Sequence, residues 1–210
     1  MSSQFLVNYR AGQSIENENE KINYMLKFIT FFILFYFNHI GTAMAYEEPT
    51  YTILKSTEVY EIRYYEDRLA VQTLQTSGEG GAFRRLFRYI SGENQTASKI
   101  AMTVPVLKSD EGSGLTMVFF LPKSYSKLNT PLPKANNVKL VTVKGGHYAV
   151  IKYSGRSTNK RNNKYANVLE NALFEDGHTI HGGPIQAIYS GPFTPFFLRK
   201  NETMYRVNWE

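Results

Sequence analysis

Two segments of the chain share one plan, and this repetition restricts the fold more than any other feature. "EVYEIRYYEDRLAVQTL" (58–74) reads as an alternating apolar and polar strand, a turn at Glu66-Asp67, and a second strand beginning near Leu69. "VKLVTVKGGHYAVIKYSG" (138–155) repeats the plan around Gly145-Gly146, with Ala149-Val150 answering Ala70-Val71. Such breaks between alternating runs predict hairpin turns. A helix follows each segment. Over 82–90, Phe83, Leu86, Phe87 and Ile90 fall at i, i+3, i+4 and i+7 and make one apolar stripe, ended by Ser91-Gly92. Tyr165, Val168, Leu169, Ala172 and Leu173 make the corresponding stripe after "STNKRNN". Strands then return as "KIAMTVPVL" and "LTMVFFLP", and as "PIQAIYS" and "MYRVNW". The unit ββαββ is used twice. Neither copy can cover a sheet face alone, so the halves should join as one α+β body, linked by the proline-bearing stretch 122–137.

The N-terminal quarter reads differently. Residues 25–45, "MLKFITFFILFYFNHIGTAMA", carry Lys27, an apolar run from Phe28 to Phe37 and a small-residue end at Ala43-Met44-Ala45. That is the layout of a secretory signal, with cleavage expected before Tyr46. The apolar run is about ten residues, against roughly 20 for a bilayer-spanning helix, so no stable membrane span is expected after cleavage. Residues 1–24 are polar, with Glu16, Glu18 and Glu20 where a signal's leading region is short and positive. They read as a mis-assigned start or a disordered extension. Residues 46–210 then form the exported domain, periplasmic or secreted. It has no cysteine, hence no disulfide staple, no thiolate metal ligand and no covalent haem-attachment motif.

The first helix raises the question of a ligand. It carries Arg84, Arg85 and Arg88, and no acid lies between Glu79 and Glu93. Its polar face is therefore suited to an anion. Around it the chain resembles the SOUL family of haem-binding proteins. The resemblance rests on "VYEIRYY", "AFRRLFRYISGEN", "KIAMTVPV", Phe120-Leu121-Pro122, "AVIKYSG" and "GPFTPFFLRKNE", which occur in the family's order and cover 51–210. It implies a distorted eight-stranded β-barrel, made by the duplicated halves and flanked by two helices. It also implies non-covalent binding of a tetrapyrrole, haem or porphyrin, in an apolar groove by the first helix and the loop before the last strand. Such a ring needs apolar cover and guanidinium partners for its propionates. The candidates are Arg84, Arg85, Arg88, Tyr89, Phe193, Phe196, Phe197 and Arg199. The resemblance carries no fixed axial histidine; His147, His178 and His181 are the weak candidates for iron, with Met102 as a soft alternative that reads better as core.

Three rival readings compete. Duplicated barrels of this kind also serve as effector domains for apolar drug-like cations, in which an acid inside the cleft meets the cation. The arginine-rich groove argues for an anion, and a buried glutamate between the halves would reverse that preference. An enzyme is disfavoured, since the chain has no nucleophile elbow, phosphate loop or clustered metal-ligand pattern. Nucleic acid is disfavoured too: the formal charge is +6, but only "NKRNNK" (159–164) clusters it, and that reads as a solvated helix start. The oligomeric state is not legible.

Overall fold

The computed structural model describes residues 21–32, 46–75, 81–110, 112 and 114–209. The chain divides into two units, Met1–Ala45 and Tyr46–Glu210. In the first, residues 21–32 form a helix, α1. The expected signal and extension otherwise lie outside the described residues, as does Glu79. No helix among the described residues is long and apolar enough to cross a membrane.

The second unit is α+β. Its strands are β1 (Tyr51–Ser56), β2 (Glu61–Tyr65), β3 (Arg68–Gln75), β4 (Val106–Asp110), β5 (Leu115–Phe120), β6 (Lys139–Val143), β7 (Gly146–Ser154), β8 (Ile180–Ile188) and β9 (Lys200–Val207). Helix α2 (Ala82–Ile90) lies between β3 and β4, and α3 (Asn159–Glu175) between β7 and β8. All nine strands form one antiparallel sheet in the order β1-β2-β7-β9-β8-β4-β5-β3-β6. The sheet curls into a half-barrel, left open between β1 and β6. The expected count was eight; the ninth strand is β1, which precedes the repeated segments and extends the edge beside β2.

The expected hairpins do not form. β2 pairs with β1 and β7, while β3 pairs with β5 and β6. Each strand–turn–strand segment therefore splits, and its two strands pair with those of the other segment. The reason lies in the turns, which press on each other. Asp67 accepts from the Gly145 N–H at 2.9 Å and from Lys144 Nζ at 2.8 Å. A β-carbon on Gly145 would stand 2.3 Å from the Tyr65 carbonyl oxygen, so only glycine permits this approach. "KIAMTVPVL" is corrected as well. Residues 99–105 run as a loop with a single bridge at Thr103, and β4 starts only at Val106. Pro105 has no N–H to give a ladder.

Alternate residues separate two faces. On one, α2 covers Val71, Val106, Met117 and Phe119 with Ala82, Leu86, Tyr89 and Ile90; α3 covers Ile62, Ala149, Ile151 and Tyr205 with Ala166, Leu169 and Leu173. The other face is the half-barrel interior, with Tyr65, Tyr148, Val150, Ala187, Tyr189 and Met204 toward one end and Ala70, Val118 and Phe120 toward the other. Complete burial of one side chain such as Leu86 contributes about 1.5–3 kcal/mol, so each helix is held mainly by a few such residues.

Candidate functional site

Helix α2 buries a different stripe from the expected one. Ala82, Leu86, Tyr89 and Ile90 face the sheet, and Phe83 and Phe87 are each 48 % exposed. Those two rings stack on each other, with centroids 5.9 Å apart and planes at 14°. Phe83 also meets the buried Phe119 edge-on. The helix thus presents two stacked, half-exposed aromatic rings to solvent, with Arg84 and Arg88 exposed beside them.

The three arginines do different things. Arg85 donates from Nε to Thr73 Oγ1 at 3.0 Å and from Nη2 to the Leu74 carbonyl at 3.2 Å, fastening α2 to β3. Arg88 pairs with Glu93, and that hydrogen bond holds its guanidinium above the ordinary value. Both groups are more than half exposed, so this ion pair is a weak restraint. Arg85, Arg88 and Glu93 line one depression together with Pro133, Ala135 and Asn137. Tyr89 is buried, and its hydroxyl donates to the Pro131 carbonyl at 2.7 Å. Burial pushes that phenol up to about 12. Tyr89 supports the helix from below.

The loop before β9 lies elsewhere. Phe193 is 98 % exposed, and Phe196 and Phe197, in a 3-10 turn over Phe196–Leu198, are half-exposed or more. Phe196 and Phe197 line a depression with Arg156 and Arg161 at the start of α3. Arg199 donates to the Thr194 and Pro192 carbonyls at 2.8 and 2.7 Å, which shapes the loop. The structure does not bring these residues into the depression beside α2.

The histidines are likewise dispersed. His147, on β7, lies against the Tyr64 ring of β2, His178 packs on Trp209, and His181 Nε2 meets Asn208 Oδ1 at 2.7 Å. Among the described residues no three His, Cys, Asp or Glu side chains are placed to hold a metal. Met102 packs on the core beneath α2, though from a loop.

A buried acid does lie between the halves. Glu202 on β9 and Arg63 on β2 are both completely buried in the interior. Arg63 Nη1 donates to Glu202 Oε2 at 3.1 Å and to the Tyr65 hydroxyl at 2.9 Å. The Tyr189 hydroxyl donates to Glu202 at 2.7 Å, and Arg63 also meets Glu61 at 2.7 Å. Burial alone would lower the Arg63 guanidinium, but Glu202 and Tyr65 hold it above its ordinary value. Burial raises the Tyr65 and Tyr189 phenols. The signal was present in the chain: charges of opposite sign, Arg63 and Glu202, inside two apolar strands.

The fold is similar to that of the EcmrR C-terminal domain, at 10 % identity and a TM-score of 0.52, over 72 % of this chain and 99 % of that one. It is also similar to a hydrolase from Listeria innocua, at 9 % identity and 0.51, over 74 % of this chain and 94 % of that one. EcmrR in a DNA complex gives 10 % identity and 0.53, over all of this chain and 73 % of that one. At such identities the likeness is one of fold. No curated protein matches the sequence. The motifs quoted above are more specific: residues 46–206, nearly the whole second unit, match the SOUL heme-binding proteins, and to that family the chain belongs.

Proposed function

We propose that the protein binds a tetrapyrrole, haem or porphyrin, on the outer face of α2, and that it is a binding protein without catalysis of its own. The stacked, half-exposed pair Phe83 and Phe87 carries this reading. It offers a ring-sized apolar platform on the surface, with Arg84 and Arg88 one position further along the helix to receive propionates, where charge-assisted pairing is strongest. Size also favours this location. The interior cleft of the half-barrel has about 60 Å³ of free space, far below the roughly 300–1,000 Å³ of pockets that enclose drug-sized ligands. A cation-sensing interior is less well supported, because Glu202 is already neutralised by Arg63. The correspondence of pairings, β2 with β7 and β6 with β3, supports a duplicated ancestry of the halves.

The same reading includes export. Residues 25–45 serve as a cleaved signal and the mature chain starts at Tyr46, a boundary supported by the family match beginning at residue 46. Titration with haem, followed by Soret absorbance, tests the site. Saturable binding that weakens in a Phe83→Ala/Phe87→Ala variant supports it. Binding indifferent to that variant moves the ring off this helix.

A further inference from the structure

The half-barrel interior contains a cleft that the tetrapyrrole reading does not use. It is walled by residues drawn from β2 to β9, chiefly Tyr65, Leu107, Phe120, Tyr148 and Met204, with Arg68 beside them. Most of the wall is apolar carbon and aromatic ring; its charged side chains are Arg68, which is largely buried, and Glu66 and Lys144, which are exposed. Arg68 lays its guanidinium over the Phe120 ring, 4.4 Å from the centroid, and its side chain is 12 % exposed. Nη2 reaches Glu47 only at 3.4 Å. Nη1 is buried and has no hydrogen-bond partner. An unsatisfied buried donor on a charged group is costly. Burial holds this guanidinium below its ordinary value, by more than the neighbouring Glu47 carboxylate restores.

We infer that the cleft is a binding site for a small apolar carboxylate, its anion received by the Arg68 guanidinium and its hydrocarbon lying against Phe120, Tyr148 and Met204. The free space of about 60 Å³ holds roughly four to six water-sized groups at ~10–15 Å³ each. That is the size of a short-chain monocarboxylate. The surroundings select the sign of the charge. Glu202 lies beyond Tyr65 and Tyr189 and is engaged by Arg63 and Tyr189, so the buried acid of the interior is already paired. At the rim Lys144 is paired with Asp67, and Glu66 is exposed. Arg68 is therefore the group that the ligand meets. This site is independent of where a tetrapyrrole binds.

Butyrate, butyramide and n-butylamine, alike in size and differing in charge, test it on the whole protein labelled with ¹³C-methyl methionine. Met204 reports on the cleft, while Met117 and Met102 lie on the opposite face under α2 and serve as controls. The expected result is a saturable shift of the Met204 signal with butyrate, weaker by about tenfold or more with butyramide and absent with butylamine. Arg68→Gln should weaken butyrate by about tenfold or more, as loss of one charge-assisted hydrogen bond implies. If that variant fails to fold, the butyrate-to-butyramide ratio in the native protein decides. A Met204 signal unmoved by butyrate overturns the inference, as does equal or better binding of the amide or the amine. Haem titration of the same samples is a separate readout, so either reading can fail without the other.

Discussion

Residues of one type do unequal work in this molecule, and the arginines of α2 show it most directly. Arg84 and Arg88 stand exposed beside Phe83 and Phe87, whereas Arg85 is fastened to Thr73 and the Leu74 carbonyl. Replacing Arg84 and Arg88 together by Ala should leave the thermal midpoint nearly unchanged and weaken haem binding about ten- to several-hundred-fold, the worth of one or two charged hydrogen bonds. Absorbance titration gives the affinity. Arg85→Ala should do the reverse, lowering stability by about 1 kcal/mol. If the double variant binds haem like the native protein, those arginines only solvate the helix. Arg63 and Glu202 sit at the other extreme of burial. Glu202→Ala leaves a buried guanidinium with its main counter-charge gone, and urea unfolding should show a loss of about 3–5 kcal/mol. The double change Arg63→Met/Glu202→Leu should recover most of that loss, because a buried ion pair contributes little net stability over an apolar pair of similar volume.

At the scale of elements, the two turns at 66–67 and 144–145 hold the crossing of the halves, and they give it a pH dependence. The Asp67 carboxyl is held below the usual carboxylate range, first by the Lys144 hydrogen bond and then by the Gly145 N–H. A carboxyl lowered in the folded state contributes stability in full above its unfolded value, and that contribution disappears as pH falls through the lowered value. Native protein and Asp67→Asn should therefore differ in urea midpoint at pH 7 and converge as pH falls below the range in which an ordinary Asp titrates. A difference that persists unchanged at pH 2 would assign the effect to the side chain's shape and not its charge. This element also shows where sequence reasoning stopped. Alternation in 58–74 and 138–155 correctly located β2, β3, β6 and β7, because period two fixes which face a residue takes. It carries nothing about which strand becomes the neighbour, and the partner was decided by Gly145 meeting the Tyr65 carbonyl. Similarly, the helix over 82–90 was legible but its buried face was not. With Phe83, Leu86, Phe87, Tyr89 and Ile90 spread around it, two apolar stripes were available, and the Pro131 carbonyl that satisfies Tyr89 lies 42 residues away. The arginines were legible as a cluster; the interior cleft was not, since its walls come one residue at a time from strands far apart in the chain.

The whole molecule keeps its two apolar surfaces apart. The sheet's concave face encloses the Arg63–Glu202 network and a cleft too small for a macrocycle, while the aromatic platform lies outside, on α2. A tetrapyrrole bound on that platform lies on a different part of the fold from each of the three candidate histidines; Met102 packs in the core beneath α2. His147 is on β7, and His178 and His181 lie at the end of the chain's second half near Trp209 and Asn208, whereas α2 packs on β3 and β5. The depression beside α2 is lined by guanidinium, carboxylate and backbone-rich loop, with no imidazole. Binding energy should then come from ring contact and propionate pairing and very little from iron. Metal-free protoporphyrin should bind within about threefold of haem, a difference below 1 kcal/mol. A porphyrin esterified at both propionates should bind the native protein poorly, and it should be indifferent to Arg84→Ala/Arg88→Ala, because it has no anion to lose. Fluorescence quenching of the metal-free ring and Soret titration of haem measure the two affinities on the same preparation. Haem outbinding the metal-free ring by a hundredfold or more would mean that an axial ligand reaches the iron. The ring would then have to sit near His147, His178 or His181, and His→Ala variants at those three positions would show which.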